Sequence, residues 1–361
     1  MSRTLIAGDI GGTKTTLALY DAEDTRAPRV VRTYDSRTVE RFDSLVDAFL
    51  GDCDTPAPAV ASFAVAGPIV EHSVRITNLP WGLSGPDLAS RFHFGRVSLV
   101  NDVEALAWAV PTLRPEEMDV IQKGQADPTG PIGVLALGTG LGEGYLTRGR
   151  EAPRAHPSEG GHADFAPTTP QQARLLESLW REHKHVSVER ACSGIGLPRI
   201  HRFLMTEEGR TEDPAVAAEI AAAADPTPVV VQAALAGRSA VCHEAVALLC
   251  DILAAEAGNL ALKLLSTGGI FLGGGIPPRV LPFLRTPRFR NAFLAKGRFS
   301  LFLERVPVLV VLPPQAVLWG AALRGMLCEG DGTPESRRDL TGTRRLVYVE
   351  PAMSGTEGET R

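Results

Sequence analysis

The chain has 361 residues and a formal net charge of −5, with 44% hydrophobic and 22% charged residues. This composition is typical of a globular protein with a full hydrophobic core, and the length is enough for two domains. The small negative charge gives no reason to expect nucleic acid or an anionic membrane as a partner.

Cysteine usage and the N-terminus indicate the compartment. The cysteines are odd in number and form no CxxC pair: Cys53, Cys192, Cys242, Cys250 and Cys328. This favours free thiols in a reducing compartment over a disulfide framework or a structural zinc site. The first residues lack the sections of a signal peptide, and no stretch approaches about 18 uncharged apolar residues. The sequence therefore predicts a cytoplasmic protein.

Residues 5–20 read LIAGDIGGTKTTLALY, two apolar runs joined by a glycine-rich turn. Gly11 and Gly12 predict a β-hairpin, because glycine takes positive φ angles at little cost. A turn with free N–H groups beside the Thr13 hydroxyl can also wrap a phosphate. A Walker A loop is not matched, because Lys14 does not directly follow the second glycine and the next residues read as a strand. A phosphate loop and a ligand-free hairpin both stay open.

The first part of the chain then predicts a mixed sheet with helices on its faces. Strands are expected at residues 29–35, 59–65 and 97–100. Helices are expected at residues 41–50, 84–92 and 104–110, with Ser84 as N-cap of the second.

A second unit begins after the Pro/Gly-rich connection at residues 124–131. Strand 132–137, a glycine-rich turn at 138–142 and strand 144–147 repeat the opening pattern about 130 residues on, with Gly8 set against Gly138. This similarity in kind is an indication of internal duplication. Further strands are expected at 270–272 and 306–312, and helices at 170–184, 194–205, 213–224, 238–265, from about Pro277, and at 315–327. The tail from Glu329 is expected to be mobile.

Several polar residues stand where chemistry is possible. Asp102 follows a strand and precedes a helix, so a helix N-cap and a catalytic base are both open for it. In Glu159-Gly160-Gly161-His162, the glycines favour a ligand-binding loop over a plain surface loop. A metal site of His156, Glu159 and His162 is disfavoured, because the spacing is not helical HExxH and no nearby Cys completes it.

The two other glycine runs admit similar alternatives. GTGLG at residues 138–142 lacks the GxGxxG spacing and enters a strand, so a dinucleotide-binding reading is weak. Gly273, Gly274 and Gly275 close a strand before a helix, which suits either a bound ligand or a packed turn.

Taken in order, the motifs resemble those of the bacterial glucokinases over residues 5–327. They are GDIGGTKTTLALYD, AVAGPI, TNLPW, LVNDVEALAWAVP, LALGTGLGEGYL, EGGHADFAP, ERACSGIGL, GGIFLGGGIPPR and KGRF. The resemblance implies the α/β, duplicated hexokinase/actin-like (ribonuclease H-like) ATPase fold, with two domains around a cleft. The expected bounds are 1–112 plus 313–328 for the small domain, 113–312 for the large one, and 329–361 for the tail.

The resemblance also implies a reaction, the transfer of phosphate from ATP to the 6-hydroxyl of glucose, with Mg²⁺ as cofactor. Asp102 would be the general base. The sugar would be bound by Asn101, Glu159, His162, Glu189, Asn78 and the turn at Gly67. The nucleotide would be bound by Gly8, Asp9, Ile10, Gly11, Gly12 and Thr13, by Gly138, Thr139 and Gly140, and by Gly274 and Gly275 near the adenosine. Asp9 would also face the Mg²⁺ through water.

Some positions depart from the family pattern, namely Lys14, Glu143, Leu79-Pro80 and His156-Pro157-Ser158. A carboxylate at position 143 would repel phosphate unless it points away. Zinc-binding ROK sugar kinases are disfavoured, because no Cys lies between His162 and Cys192. The alternatives to glucokinase activity are a kinase of another hexose and a non-catalytic sugar sensor. A homodimer is expected by family likeness.

Overall fold

The computed structural model describes residues 4–21, 24–53, 58–76, 79–149 and 152–327. The strands are β1 Thr4–Ile10, β2 Lys14–Asp21, β3 Val30–Asp35, β4 Val60–Val65, β5 Ser73–Arg75, β6 Gly82–Ser84, β7 Arg96–Asn101, β8 Met118–Gln122, β9 Ile132–Leu137, β10 Leu141–Thr147, β11 Arg154–Ser158, β12 Gly269–Gly273 and β13 Val308–Val311. The helices are α1 Phe42–Asp52, α2 Gly85–Phe92, α3 Asp102–Ala109, α4 Pro170–Trp180, α5 Val188–Ala191, α6 Gly196–Thr206, α7 Pro214–Ala222, α8 Pro226–Leu235, α9 Ala240–Leu264, α10 Leu281–Leu284, α11 Pro287–Leu294, α12 Ser300–Glu304 and α13 Ala316–Leu327.

Two mixed sheets share one topology. The first has the order β3-β2-β1-β4-β7 and the second β11-β10-β9-β12-β13-β8. In each, an antiparallel three-stranded meander is extended by two parallel strands, and β8 adds an antiparallel edge to the second sheet. The two sheets therefore support the expected internal duplication. Gly138 directly follows β9, and the residue in the same position after β1 is Gly11. Gly8, which the sequence analysis set against Gly138, lies within β1.

Local chemistry explains where several helices begin. The Ser84 hydroxyl accepts a hydrogen bond from the Asp87 amide at 3.3 Å, as the sequence predicts for the N-cap of α2. The Ser239 hydroxyl caps α9 in the same way, through the Cys242 amide at 2.9 Å. Such caps satisfy amide groups that the helix itself leaves without partners.

Helix α9 is the central element of the larger hydrophobic core. Its 25 residues are long and apolar enough to span a membrane, but 89% of its most apolar window is buried inside the protein. The helix packs against α6, α8 and α11 through buried aliphatic side chains such as Leu249 and Leu253. Burial within the fold accounts for its apolar composition, so α9 is only weak evidence for a membrane span.

Two helices pack on the sheet that does not contain the strand before them. Helix α3 follows the last strand of the first sheet, yet Val103 and Leu106 belong to a cluster with Val134 and Phe271 of the second sheet. Helix α13 follows β13 of the second sheet, yet its apolar side chains pack on β1, β2 and β4 of the first. The two helices also pack on each other, so they tie the sheets together.

Most predicted strands and helices are confirmed to within a few residues. The sequence analysis missed the short strands β5 and β6, strands β8 and β11, and helices α5, α8, α11 and α12. Strand β11 contains Pro157 and lies at a sheet edge, where a missing N–H is tolerated. Helix α8 reads PTPVVVQAAL, a β-branched run that is typical of strands, but Asp225 caps it and Pro226 begins it.

The tail at residues 329–361, Cys328 and Asn78 lie outside the described residues. The domain bounds stay a prediction, although α13 packing on the first sheet agrees with a C-terminal helix that returns to the N-terminal unit.

The contact between α3 and α13 yields the first testable prediction. A Cβ at Gly320 would lie 1.7 Å from the Ala105 carbonyl oxygen. We expect Gly320→Ala to lower the free energy of unfolding by about 1–3 kcal/mol or more, because the helices must move apart. The control is Gly51→Ala on α1, where a Cβ would meet nothing within 4 Å. It should be neutral or stabilising in urea unfolding; an equal loss in both variants would contradict the prediction.

Candidate active site

The first glycine loop joins β1 to β2, as the hairpin prediction requires. The strands pair antiparallel up to Ile10 opposite Thr15. Ser36 anchors the loop: its hydroxyl donates to the Gly11 carbonyl at 2.8 Å, and its amide donates to the Thr13 carbonyl at 2.9 Å. The φ angle of Gly11 lies outside the left-handed region, so the expected positive φ is wrong there. The sequence analysis did not single out Ser36, which stands far from the loop in sequence.

Three residues of the predicted phosphate loop belong to strand β1. Gly8 is packed in the sheet, where a Cβ would lie 2.7 Å from Phe63 Cδ1. The Ile10 side chain is buried in the core of the first sheet, and the residue is paired with Thr15 of β2 and Val65 of β4. Asp9 is partly buried, and burial, followed by the nearby Asp102 carboxylate, raises its pKa to about 7. Two acidic groups therefore lie near enough to interact electrostatically beside this loop.

The N-terminus of α3 presents Asn101 and Asp102 differently. Asn101 is the N-cap: its Oδ1 accepts hydrogen bonds from the amides of Val103 at 3.0 Å and Glu104 at 3.3 Å. Its Nδ2 donates to the Gly67 carbonyl at 3.4 Å. The N-cap alternative for Asp102 is therefore wrong, because Asp102 is the first residue of the helix and Asn101 does the capping.

Asp102 is a partly buried carboxylate with an unusual protonation equilibrium. Burial raises its pKa to about 6, the amides of Val103 and of Asp102 itself lower it, and the negative charge of Glu159 raises it further. Its Oδ1 accepts from the Val103 amide at 2.9 Å. A carboxylate with this pKa can accept a proton near neutral pH.

The structure brings Glu159, His162 and Glu189 together. His162 lies in a short 3₁₀ turn, with Nε2 3.8 Å from Glu159 Oε2 and Nδ1 3.9 Å from Glu189 Oε1. Glu159 and His162 are exposed, whereas Glu189 is partly buried. The group offers both hydrogen-bond donors and acceptors to solvent, which suits a polyhydroxylated ligand.

Glu189 links this group to the second glycine loop. It is the second residue of α5, which Ser187 caps, and its Oε2 accepts a hydrogen bond from the Leu141 amide at 3.0 Å. A Cβ at Gly140 would lie 2.3 Å from the same oxygen, so a larger residue at that position would displace the Glu189 carboxylate. The second glycine loop is thus packed directly against a member of the polar group.

The rest of the second glycine loop is held by the segment before α6. The Gly138 and Thr139 carbonyls accept hydrogen bonds from the amides of Gly194 at 2.8 Å and Ile195 at 3.2 Å. The third glycine run follows β12, where Gly274 has a φ of +87° and Ile276 donates its amide to the Leu137 carbonyl at 3.1 Å. Gly274 and Gly275 therefore lie next to the end of β9, where the second loop begins.

The positions that depart from the family pattern have identifiable environments. Lys14 is exposed opposite Asp35, and Leu79 packs against the core of the first sheet. His156 lies in β11, where its ring stacks on Tyr145 with centroids 4.8 Å apart. Glu143 is buried in β10.

One group in the described part of the chain has metal-ligand spacing, His201, Glu212 and Cys242. Glu212 accepts hydrogen bonds from His201 Nε2 at 2.7 Å, Cys242 Sγ at 3.3 Å and the Asp213 amide at 2.8 Å. Burial raises the pKa of the Cys242 thiol to about 12, so it stays protonated. These contacts describe a buried hydrogen-bond cluster between α6, α7 and α9. The disfavoured trio of His156, Glu159 and His162 forms no such group.

Comparison with known proteins places this arrangement in context. A family model described as Glucokinase matches residues 6–326. A protein of Nostoc punctiforme named Glucokinase is 37% identical over 333 residues, 88% of this chain and 98% of the relative. The crystal structure of glucokinase from an Antarctic psychrotroph aligns with a TM-score of 0.76 and 33% identity, over 90% of this chain and 99% of that one.

A more distant neighbour shares the fold alone. A ROK family glucokinase from Streptomyces griseus, in complex with glucose and AMPPNP, aligns with a TM-score of 0.62 at 20% identity, over 90% of this chain and 99% of that one. The predicted α/β, duplicated hexokinase/actin-like ATPase fold is confirmed by these neighbours and by the two matching sheets.

The contact between Gly140 and Glu189 gives the second prediction. Gly140→Ala should lower the free energy of unfolding by about 1–2 kcal/mol, because the new methyl group displaces Glu189 and breaks its bond to the Leu141 amide. Gly138→Ala is the matched control, since a Cβ there meets nothing within 4 Å, and its change should stay within about 0.5 kcal/mol. Urea unfolding monitors both variants; equal losses would refute the assigned contact.

Proposed function

The chain belongs to the glucokinase family, and on that premise we propose that Asp102 is the general base in phosphoryl transfer from ATP to the 6-hydroxyl of glucose, which gives glucose 6-phosphate and ADP. The observation that carries the proposal is the position of Asp102. Asn101 caps the helix in its place, so the Asp102 side chain is not used as the N-cap. Its carboxylate interacts electrostatically with Asp9 beside the first glycine loop and with Glu159 in the group formed with His162 and Glu189.

The proposed chemistry follows from the protonation state of Asp102. Its carboxylate accepts the proton of the 6-hydroxyl as the oxygen attacks the γ-phosphorus, and the bond to the ADP oxygen breaks. A pKa of about 6 leaves most of the carboxylate ionised at neutral pH and still basic enough to take the proton. Positioned bases of this kind typically contribute about 10²–10⁴-fold to the rate.

The sugar is bound by groups that both donate and accept hydrogen bonds. We assign the remaining hydroxyls to Asn101, Glu159, His162 and Glu189, with Gly67 beside Asn101. A sugar that lacks one hydroxyl leaves such groups unpaired, which is a strong basis for rejection. Asn78 is included by motif alone.

The triphosphate lies between the two glycine loops in this proposal. Gly11, Gly12 and Thr13, with the backbone of Gly8 to Ile10, hold it from the first sheet, and Gly138, Thr139 and Gly140 hold it from the second. Gly274 and Gly275 lie next to the second loop and are assigned to the adenosine. Phosphoryl transfer depends mainly on positioning and charge neutralisation. Backbone amides in the glycine loops can contribute to both.

The acidic pair beside the first loop fits a divalent cation. Asp9 has a raised pKa because it is buried near the Asp102 carboxylate, and a cation there would offset both the burial and the repulsion. Carboxylate oxygens and water are the ligands that Mg²⁺ prefers. We therefore assign Asp9 to Mg²⁺ through water; the ion would neutralise charge on the phosphates.

Three further assignments complete the proposal. Residues 1–112 with 313–328 and residues 113–312 are the two domains, and their closure would keep water from the γ-phosphate. A cytoplasmic location is supported by the buried free thiols of Cys53, Cys192, Cys242 and Cys250.

A homodimer is proposed from family likeness, and light scattering should give twice the monomer mass.

Removal of the proposed base gives the third prediction. Asp102→Asn keeps the size of the side chain but cannot accept the proton, so kcat should fall by about 10²–10⁴-fold. The assay is ADP release with ATP, Mg²⁺ and a hexose panel. Glucose binding, measured by calorimetry without ATP, should change little.

Two outcomes would contradict the proposal. Near wild-type turnover by Asp102→Asn would show that another group takes the proton. A wild-type protein that binds glucose but releases no ADP with any hexose would favour the sugar sensor. Faster turnover of another hexose would correct the substrate.

The raised pKa of Asp102 gives the fourth prediction. Because only the ionised carboxylate accepts a proton, kcat/KM for glucose should fall as the pH drops through about 6, approaching tenfold per pH unit below it. Residual activity of Asp102→Asn should lack this acidic limb. An acidic limb that persists unchanged in Asp102→Asn would assign the titration to another group.

A further inference from the structure

Glu143 is a buried acid that the proposed reaction does not use. It lies in β10, between β9 and β11, and the residue is only 1% exposed. Its Oε1 has no hydrogen-bond partner among the described residues. A buried carboxyl oxygen without a partner is costly, so its retention calls for an explanation from its surroundings.

The Glu143 side chain packs against the turn that carries the sugar-facing residues. A Cβ at Gly160 would lie 2.2 Å from Glu143 Oε2 and 2.8 Å from its Cδ, so the carboxyl group fills the space below Gly160. The backbone makes a second link: Ser158 Oγ donates to the Glu143 carbonyl at 3.1 Å and accepts from the Gly160 amide at 3.2 Å. Residue 143 therefore supports this turn from two sides.

The turn is also held elsewhere: a Cβ at Gly161 would lie 1.9 Å from the Leu141 carbonyl oxygen, and the Ala163 carbonyl accepts from the Val188 amide at 2.9 Å. The His162 amide donates to the Glu159 carbonyl at 3.0 Å, and the Ala163 amide donates to the Gly160 carbonyl at 2.9 Å. The side chains of Glu159 and His162 are both 60% exposed. Their direction therefore depends on the backbone of the turn, which packs against the Glu143 side chain at Gly160 and the Leu141 carbonyl at Gly161.

We propose that Glu143 is a positioning residue that holds the turn at residues 159–162 from below and thereby orients Glu159 and His162 toward the sugar. As far as glucose is concerned, this inference rests on the proposed function. It assigns no contact between Glu143 and either substrate. Loss of the support should weaken glucose binding far more than ATP binding.

The support depends on the charge of Glu143. Titratable and charged groups around it are Glu256 and Lys263 on α9, Cys192 before α6, Lys296 beyond Glu256, and Glu159 and His162 on the turn. Burial, and then the charge of Glu256, raises the pKa of Glu143 from 4.5 to about 7, against an opposing effect of Lys263. The neutral form is therefore favoured by the fold, and this preference is lost as the pH rises through about 7.

Kinetics of Glu143→Ala and Glu143→Gln test the proposal. Glu143→Ala should raise KM for glucose by roughly 10- to 100-fold, because the unsupported turn no longer holds its side chains in place. The KM for ATP should change little. Glu143→Gln keeps the shape of the neutral form and should restore KM for glucose. Glu116→Ala, which removes an exposed carboxylate, is the control.

The pH profile separates positioning from plain structural loss. The wild-type KM for glucose should rise between pH 6 and pH 8, roughly the range over which Glu143 ionises, while that of Glu143→Gln should stay flat. The acidic limb of Asp102 is common to both proteins and cancels in the comparison. An unchanged KM in Glu143→Ala, or the same pH step in Glu143→Gln, would overturn the proposal.

A double variant tests the contact itself. Gly160→Ala alone should raise KM for glucose, because its methyl group meets the Glu143 carboxyl. Combined with Glu143→Ala, the same change should be much less harmful, since the carboxyl group is gone and only the Cβ of residue 143, 3.2 Å away, remains. Strictly additive effects would contradict the contact.

Hydrogen exchange makes the test independent of any reaction. In the protein without sugar, Glu143→Ala should speed amide exchange in peptides covering residues 158–163, while peptides covering the β1–β2 hairpin should not change. Unaltered exchange at 158–163 would refute the support by Glu143 even in a protein that phosphorylates glucose. Faster exchange in a protein that phosphorylates no hexose would uphold the support and reject the proposed function.

Discussion

The close contact between α3 and α13 is the constraint on which the site depends. Helix α3 follows β7 of the first sheet and packs against the second, whereas α13 follows β13 of the second sheet and packs against the first. The two helices meet where Gly320 faces the Ala105 carbonyl. A side chain larger than hydrogen at position 320 would separate them. Because α3 lies against the second sheet, its N-terminus carries Asp102 of the first unit toward residues of the second.

At the N-terminus of α3, the neighbouring residues Asn101 and Asp102 have different roles. Asn101 satisfies the exposed amides of the helix, which stabilises it by about 1 kcal/mol. Asp102 is left to face Asp9 and Glu159, which lie on different units of the protein. The proposed base therefore lies within electrostatic reach of both the first glycine loop and the turn that carries Glu159.

Three acidic side chains around this point destabilise the fold when they are ionised. Burial raises the pKa values of Asp9, Asp102 and Glu143 to between about 6 and 7. Each carboxylate is disfavoured in its ionised form by the fold, so each contributes a cost above its ordinary pKa that packing elsewhere must offset. Perturbed carboxyl groups of this kind concentrate where proteins bind or transform ligands.

The sequence by itself determined the longer strands and helices, the three glycine runs and the acidic residues beside them, because periodicity and turn chemistry are local. It also carried the family resemblance. It could not assign the cap to Asn101 over Asp102, or find Ser36 behind the first loop, since both depend on side-chain direction and long-range contacts. The role proposed for Glu143 was equally hidden, since only the packing of β10 under Gly160 buries this carboxyl group where water cannot solvate its charge.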